Sequence, residues 1–274
     1  MSSITILGAS GFIGSALVKR LAEIGLEYLA PTRDEKLAGR KLGNIIYCIG
    51  LTADFRERPF ETVDAHICQL LHILRDCDFD SLLYLSSARI YQGHGSPARE
   101  EDSLRVSPSN PDHLYNISKV MGESLSLASG KKTRVVRLSN VYGEDYTSRN
   151  FLSTIIMEAV STPRITVHNP PDAEKDYVSI HDVVDGLIKI AGEGRQNIYN
   201  LASGINVSNL RLTQRISELT GCQITFDPAA AGTSFPPINI GRMQSEFEFR
   251  PRSILDDLGS LIESYRKHHE DQSA

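Results

Sequence analysis

The sequence has no tryptophan, four cysteines and no long apolar run. The cysteines form no Cys-x-x-Cys pair, and their spacing fits neither a zinc site nor a disulfide framework. We therefore expect reduced thiols and a cytoplasmic protein. No apolar stretch approaches the roughly 20 residues that cross a bilayer, so no membrane partner is expected. The first apolar run starts at Ile4, and no signal peptide is expected before it.

The sequence also has fewer basic than acidic residues. The 29 lysines and arginines are outnumbered by 34 acidic residues, the net charge is −5, and the basic residues form no stripe. Nucleic acid is therefore not an expected partner. His66, His72 and His94 lie at no metal-ligand spacing from neighbouring acids, so no metal site is predicted. Hydrophobic residues make up 41% of the 274 positions, enough for one large α/β domain with or without a small lobe.

A glycine-rich turn lies close to the start of the chain. Residues 4–7 form an apolar run of strand length, and residues 16–22 continue with helical periodicity. Glycine at the junction lets a phosphate approach backbone N–H groups and the positive end of the helix dipole. The three-residue spacing is related to the dinucleotide-binding fingerprint, although glycines also mark ordinary turns. The predicted cofactor-binding residues of this turn are Gly8, Ser10, Gly11, Phe12, Ile13 and Gly14.

Strand and helix patterns alternate over the first half of the chain. Helical patterns, among them 59–77 and 113–129, separate the apolar runs of strand length. The runs lie at 4–7, 28–30, 45–49, 82–87 and 134–138. This alternation predicts an α/β fold, a Rossmann-type doubly wound parallel sheet.

After residue 143 the pattern loosens. Helices are predicted near 151–160, from 180, at 208–220 and at 253–268, with short strands at 165–167, 198–201 and 223–226. These dispersed elements predict a small C-terminal α/β substrate lobe over the carboxyl ends of the sheet strands, where ligands bind in open α/β sheets. Residues 1–143 are accordingly predicted to be the dinucleotide-binding core, completed by a strand and a helix near 180–201. Residues 144–274 are predicted to be mostly the substrate-binding lobe.

Tyr115 and Lys119 are four residues apart in the predicted helix 113–129, which places both on one face. A neighbouring ammonium lowers the pKa of a phenol, so this pair suits a general acid/base for a hydroxyl or carbonyl. The same pattern is also common on solvated helix faces. Ser87 ends the strand directly before the loop that leads to Tyr115. Its hydroxyl is predicted to hold a substrate oxygen; the alternative is that it only satisfies backbone groups at the strand end.

Six motifs in one order resemble those of the extended short-chain dehydrogenase/reductases, the group of nucleotide-sugar epimerases and dehydratases. The resemblance covers nearly the whole chain. The motifs are Gly8-Ala9-Ser10-Gly11-Phe12-Ile13-Gly14, Ser86-Ser87-Ala88-Arg89-Ile90-Tyr91, Tyr115-Asn116-Ile117-Ser118-Lys119, Arg137-Leu138-Ser139-Asn140-Val141-Tyr142-Gly143, Asp176-Tyr177-Val178-Ser179-Ile180-His181-Asp182 and Tyr199-Asn200-Leu201-Ala202-Ser203-Gly204.

The resemblance implies roles for individual residues. Tyr115 is expected to be the catalytic acid/base, Lys119 to hold the nicotinamide ribose and tune Tyr115, and Ser87 to occupy the catalytic Ser/Thr position. Asn140 falls where the family contacts the substrate diphosphate, and Arg242 is the candidate for the arginine that the family's C-terminal stretch supplies. The remaining predicted contacts are Ile49 and Gly50 with the cofactor and Ala88 with the substrate.

The chain departs from the family pattern at three places. Dehydratases of this group usually carry Thr-Asp-Glu where this chain has Ser87-Ala88-Arg89, so 4,6-dehydration is not expected. The family usually has an asparagine in the helix before the serine strand, where this chain reads Thr62-Val63-Asp64-Ala65-His66. The segment before the strand at 45–49 is short, so the third strand of the usual sheet is predicted to be missing or reduced.

The end of the second predicted strand bears on the choice of cofactor. An acidic residue there would hydrogen-bond the ribose hydroxyls of NAD, whereas an arginine accommodates the phosphate of NADP. This chain has Thr32 and Arg33, which favours NADP. The alternative is that Arg33 stacks on adenine or points to solvent.

The predicted function is an NAD(P)-dependent oxidoreductase that acts on a nucleotide-linked sugar, with preference for a 4-keto-sugar reductase. One alternative is an epimerase with tightly held NAD, and another is a non-catalytic NAD(P)-sensing regulator. The resemblance also implies a homodimer formed through the helices 59–77 and 113–129.

Overall fold

The computed structural model describes residues 3–52, 54–95, 97–230, 232 and 235–273. Within these ranges the strands are β1 (Ile4–Leu7), β2 (Tyr28–Leu29), β3 (Asn44–Tyr47), β4 (Ser81–Ser87), β5 (Thr133–Leu138), β6 (Asn140–Tyr142), β7 (Arg164–Val167), β8 (Glu174–Ser179), β9 (Ile198–Leu201), β10 (Asn206–Ser208) and β11 (Gln223–Phe226). The helices are α1 (Phe12–Glu23), α2 (Pro59–Val63), α3 (Gln69–Asp76), α4 (His113–Ala128), α5 (Phe151–Ser161), α6 (Ile180–Glu193), α7 (Asn209–Thr220), α8 (Gly241–Phe247) and α9 (Ile254–Ser273).

The central sheet has the order β2-β1-β3-β4-β5-β9 over the described residues, and each neighbouring pair is parallel. Its strands β1, β3, β4, β5 and β9 are largely buried on both faces, so their successive side chains enter different cores. In β1, Ile6 packs with α1 and α6 on one face, whereas Leu7 packs with α3 on the other. Helices on both faces of a parallel sheet confirm the predicted doubly wound α/β fold.

The sheet ends at the short strand β2. Among the described residues from 30 to 43, the chain forms turns and one isolated bridge, between Lys41 and Asp78, rather than a strand beyond β2. The predicted loss of the third strand is therefore confirmed. Its consequence is that the surface beside the end of β2 is formed by an irregular segment.

A second group of elements packs beyond the sheet. β6, β8 and β10 form a small sheet of order β10-β8-β6, and β7 pairs with β11. Together with α5, α7 and α9 they enclose a separate core that includes Ile156, Leu212 and Leu258. The three strands β6, β8 and β10 are not predicted from the sequence, because two of them have three residues each and β8 begins Glu174-Lys175-Asp176.

Two elements from the second half return to the first core. α6 packs against α1, and α8 contributes Met243 and Phe247 to the same cluster beside β9. The return of α6 and β9 agrees with the sequence pattern, whereas the sequence gives no sign of α8. In the part of the chain that the structure describes, no helix is both long and apolar enough to span a membrane.

Candidate active site

The three glycines of the turn between β1 and α1 have different structural roles. Gly8 has a φ of +86°, and a Cβ on Gly14 would lie 2.1 Å from the Gly8 carbonyl oxygen, so both are required by the backbone itself. A Cβ on Gly11 would meet its nearest atom at an ordinary 3.5 Å. Gly11 therefore presents an open backbone surface at the start of α1, where N–H groups and the helix dipole favour an anion.

A cleft of about 580 Å³ opens at the carboxyl ends of β3, β4 and β5. It runs from the glycine turn to residues of the second group of elements, including Asn150 and Tyr177. Ten predicted site residues line it: Gly11, Phe12, Ile13, Ile49, Gly50, Ser87, Ala88, Tyr115, Lys119 and Asn140. The sequence motifs therefore converge on one cavity, at the edge of the sheet where ligands bind in open α/β folds.

Tyr115 and Lys119 are buried on the inner face of α4, with 4% and 6% of their surface exposed. These fractions exclude the solvated helix face that the same spacing would also allow. Lys119 Nζ donates a 2.8 Å hydrogen bond to the Leu85 carbonyl oxygen at the end of β4. The ammonium lies 6.0 Å from the centre of the Tyr115 ring. The ammonium is thus held at the base of the cleft, beside the phenol.

The pKa values of this pair follow from burial. Desolvation lowers the pKa of Lys119 to about 7, although Glu123 opposes the shift. Desolvation raises the pKa of the Tyr115 phenol, and the Ser87 hydroxyl and the charge of Arg89 partly offset that rise. The sequence predicts that Lys119 supplies the charge acting on Tyr115. In the structure the charge of Arg89 also acts on the phenol, and the Lys119 ammonium donates to the Leu85 carbonyl oxygen.

Ser87 caps a backbone turn and also lines the cleft. Its hydroxyl oxygen accepts a 3.2 Å hydrogen bond from the Arg89 backbone N–H, which caps the turn Ala88–Tyr91. It also faces the cleft and lies close enough to Tyr115 to lower the pKa of the phenol. The structural role and the proposed chemical role are therefore compatible in one side chain.

His66 stands in the helical segment where the family usually has an asparagine. A π-helical turn at Asp64–Cys68 joins α2 to α3 and turns His66 inward, where it is fully buried. His66 Nε2 accepts the Leu51 N–H at 3.3 Å, while Nδ1 lies 2.8 Å from Ser118 Oγ, which donates to the Tyr115 carbonyl oxygen. The ring proton is therefore on Nδ1, and neutral His66 connects the loop after β3 to the backbone of Tyr115.

Five predicted site residues are not among those that line the cleft, and four of them lie at the glycine turn or after β2. Gly8 and Gly14 lie beneath the turn, and Ser10 is exposed on it. Arg33 is exposed after β2. These placements leave their predicted roles toward a cofactor as predictions.

The structure does not bring Arg242 to the cleft. Its guanidinium donates to the Ile198 carbonyl oxygen at 2.7 Å and forms an ion pair with Glu101. Asn140 remains at the cleft, where its amide donates to the Asp176 carbonyl oxygen at 2.8 Å. The predicted contact between Arg242 and a diphosphate is therefore not supported, because that arginine is engaged elsewhere.

Many residues that line the cleft were not predicted from the sequence. Five of them bear on the arguments that follow: Phe55, Arg56, Arg89, Arg149 and Lys175. Lys175 directly precedes the motif that begins at Asp176, and Arg89 lies inside the serine motif, so sequence neighbours carried a signal for both. Phe55, Arg56 and Arg149 are in loops whose course is set by tertiary packing, and the sequence carries no comparable signal for them.

A model of the NAD-dependent epimerase/dehydratase family matches residues 4–67 and 50–202. A dTDP-4-dehydro-6-deoxy-D-allose reductase of a Streptomyces species is 25% identical over 97% of both chains. A UDP-glucose 4-epimerase of Streptococcus mutans is 24% identical over 96% of this chain and 95% of its own. The solved structure of RMD from Pseudomonas aeruginosa, complexed with NADPH, superposes with a TM-score of 0.81 at 20% identity, covering 98% of this chain and 100% of that one. The motif resemblance and the fold are both confirmed.

The buried state of His66 generates a prediction for stability. Burial, reinforced by the charge of Lys119, lowers the pKa of His66 from 6.5 to about 2. Below about pH 6.5 the His66 side chain is therefore protonated in the unfolded chain but stays neutral in the folded one. The free energy of unfolding falls as the pH falls below that value. Between about pH 6.5 and 5, we expect the free energy of unfolding to fall less steeply in His66→Gln than in the wild type. The two slopes should differ by roughly 1 kcal/mol per pH unit.

Urea unfolding at several pH values measures this difference. His72→Gln is the matched control, because His72 is exposed on α3. Equal slopes for the wild type and His66→Gln would contradict the neutral, buried assignment of His66.

Proposed function

We propose that this chain, which belongs to the NAD-dependent epimerase/dehydratase family, is an NAD(P)-dependent oxidoreductase acting on a nucleotide-linked sugar. The proposed reaction is reduction of a 4-keto sugar. The observation that carries the proposal is the convergence of Ser87, Tyr115 and Lys119 on one cleft that also reaches the glycine turn. Hydroxyl, phenol and ammonium in this arrangement suit proton transfer to a sugar oxygen.

The residues present fit a nicotinamide dinucleotide. The open backbone at Gly11 and the start of α1 suit its phosphates, and Ile49 and Gly50 would contact it along the end of β3. When bound, the cofactor supplies or accepts the hydride. Lys119, at the base of the cleft, would hold its ribose hydroxyls. We propose NADP as the preferred form, because Arg33 follows β2 where no acidic residue directly ends the strand.

The protein groups manage the proton on the sugar oxygen. Ser87 holds that oxygen by a hydrogen bond, and the Tyr115 hydroxyl gives its proton as negative charge develops there. Burial keeps the phenol protonated in the resting state, since it raises the pKa of Tyr115. His66 and Ser118 fix the helix backbone at Tyr115, so the hydroxyl stays in one place.

The choice of reduction has two supports. Ala88 and Arg89 occupy the positions where dehydratases carry acids, so the groups that would remove water are missing. A curated reductase also aligns over nearly the full length of this chain. An epimerase that retains NAD is the second candidate, favoured by the full-length alignment with UDP-glucose 4-epimerase. Both use the same proton-transfer residues.

Lys175 is the proposed ligand of the sugar-nucleotide diphosphate in place of Arg242. It lines the cleft on β8, with its ammonium 4.8 Å from the centre of the Phe151 ring. Burial and the nearby charge of Arg89 lower the pKa of Lys175. A bound anion would therefore stabilise the charged form of this side chain. Arg149 lines the same part of the cleft, near Asn140. The diphosphate would lie between these groups.

The Tyr115→Phe variant tests the chemistry. We expect turnover to fall by about two orders of magnitude or more, because the proton donor is removed, while cofactor affinity stays within about twofold. Spectrophotometric loss of NADPH with a panel of 4-keto-sugar nucleotides measures the rate. Tyr28→Phe, on β2 and away from the cleft, is the control.

Near-normal turnover of Tyr115→Phe would rule out its assignment. Interconversion of sugar epimers without net NADPH loss would favour the epimerase. Cofactor binding with neither activity across the panel would favour the non-catalytic regulator.

A titration with NADPH and NADH tests the cofactor assignment. We expect tighter binding of NADPH, and the Arg33→Ala variant should lose most of that preference, about tenfold, because one charge-assisted contact is removed. Gly11→Ala should keep the wild-type unfolding midpoint but bind both cofactors more weakly, since its Cβ meets protein at 3.5 Å and would project into the phosphate site. Tighter binding of NADH by the wild type would overturn the preference.

We also propose a homodimer formed through the outer faces of α2, α3 and α4. Large apolar side chains are exposed there, with Phe60 at 86% and Met121 at 54%. Val63, Leu71 and Leu127 extend the same outer surface. Contiguous exposed apolar surface of this kind marks protein contacts. A cytoplasmic location remains a prediction from the cysteine pattern.

Light scattering coupled to gel filtration tests the dimer. The wild type should elute as a dimer, and a Phe60→Asp/Met121→Asp double variant should be monomeric, because charges would be buried at the contact. Ile205→Asp is the control, since Ile205 is equally apolar and 69% exposed but lies outside these helices. A monomeric wild type would remove the proposal.

A further inference from the structure

Arg89 places a guanidinium beside the proposed proton donor. It lies two residues after Ser87, on the turn Ala88–Tyr91, and lines the cleft. Its Cζ is 5.5 Å from the centre of the buried Phe55 ring, and its charge acts on Tyr115. The side chain therefore borders the volume where the reacting part of the sugar would meet the Tyr115 hydroxyl.

The Arg89 guanidinium packs on the Phe55 ring but has no hydrogen-bonded or ion-paired partner among the described residues. Its Nε is buried and makes no hydrogen bond, and no carboxylate forms an ion pair with it. The neighbouring arginine, Arg56, is paired with Asp112 at 2.5 Å. A half-buried guanidinium with an unused donor is costly unless a ligand supplies the acceptor.

The side chains that line this cleft carry more positive than negative charge. The cationic lining residues are Arg56, Arg89, Lys119, Arg149 and Lys175, and the acidic ones are Asp145 and Asp176. Asp176 is occupied, because its carboxylate accepts hydrogen bonds from Ser203 and Gly204. Asp112 compensates Arg56, and a diphosphate would compensate Lys175 and Arg149. The charge of Asp112 also acts on Arg89, but that carboxylate pairs with Arg56, and the buried Arg89 Nε is left without an acceptor.

We infer that the sugar bound in this cleft carries a carboxylate and that Arg89 binds it. This inference rests on the proposed function, since it assigns a substituent to the proposed nucleotide-linked sugar. A guanidinium matches a planar carboxylate with two parallel N–H donors, and it stays charged at all working pH values. The substrate class is therefore a nucleotide-linked uronic acid or a sugar of the same acidic type. Arg89 would discriminate against neutral sugars, because a neutral sugar leaves its buried N–H donor without an acceptor.

Calorimetric titration with three ligands tests the subsite in the cofactor-loaded protein. The probes are the nucleoside diphosphate alone, its glucose conjugate and its glucuronic acid conjugate, each with uridine and with thymidine as the base. The two conjugates differ at a single carbon, which is a hydroxymethyl group in one and a carboxylate in the other. We expect the wild type to bind the glucuronic acid conjugate at least about tenfold more tightly than the glucose conjugate.

Two variants locate the effect. Arg89→Gln should abolish this preference and leave the affinities for the diphosphate and the glucose conjugate within about threefold of wild type. Arg89→Lys, which keeps the charge without the fork, should retain part of the preference. Lys175→Gln should weaken all three ligands together, because it acts on the part that they share. Thermal unfolding of each variant verifies that it is folded.

Each remaining result counts against the inference. Equal affinity of the wild type for the two conjugates overturns the carboxylate subsite and leaves the nucleotide-sugar function standing. Loss of both conjugates in Arg89→Gln would mean that Arg89 binds a neutral part of the sugar, and loss of the diphosphate as well would assign it to the phosphates. Failure of the wild type to bind any of the ligands with either base would overturn the proposed function along with this subsite.

Discussion

The close contact between α4 and β4 is the constraint on which the candidate site depends. A Cβ on Gly122 would lie 2.2 Å from the Tyr84 hydroxyl oxygen, so the helix reaches the strand only because that position is glycine. At this separation Lys119 reaches the carbonyl oxygen of Leu85. On the next turn, the Glu123 carboxylate receives two hydrogen bonds from Arg137 of β5, both ends being buried. Charge-assisted bidentate contacts of this kind hold an element in one orientation.

Burial then determines the electrostatics of the cleft. Taking Lys119 out of water brings its pKa to about 7, and the same cause keeps His66 neutral and the Tyr115 phenol protonated. The charge of Arg89 opposes the rise in the pKa of the phenol. The cleft therefore holds a protonated phenol among cationic side chains.

Local sequence patterns predicted much of the fold and of the candidate site. The glycine spacing after an apolar run predicted the turn between β1 and α1, because backbone geometry there depends on missing side chains. The spacing of Tyr115 and Lys119 predicted a shared face of α4, since it needs only helical geometry. Signals failed where strands are short or polar, as in β6, β8 and β10. They also gave no sign that Arg242 would pair with Glu101 away from the cleft.

The amino-acid sequence by itself determined the fold class, the glycine turn and the identity of three residues that meet in the cleft, Ser87, Tyr115 and Lys119, because each depends on local periodicity or on motif order. Tertiary structure alone decided whether Tyr115 and Lys119 are buried and which groups His66 contacts. Those properties depend on desolvation and on distances between segments far apart in the chain, such as the 52 residues between His66 and Ser118. Neither quantity is encoded in the spacing of neighbouring residues.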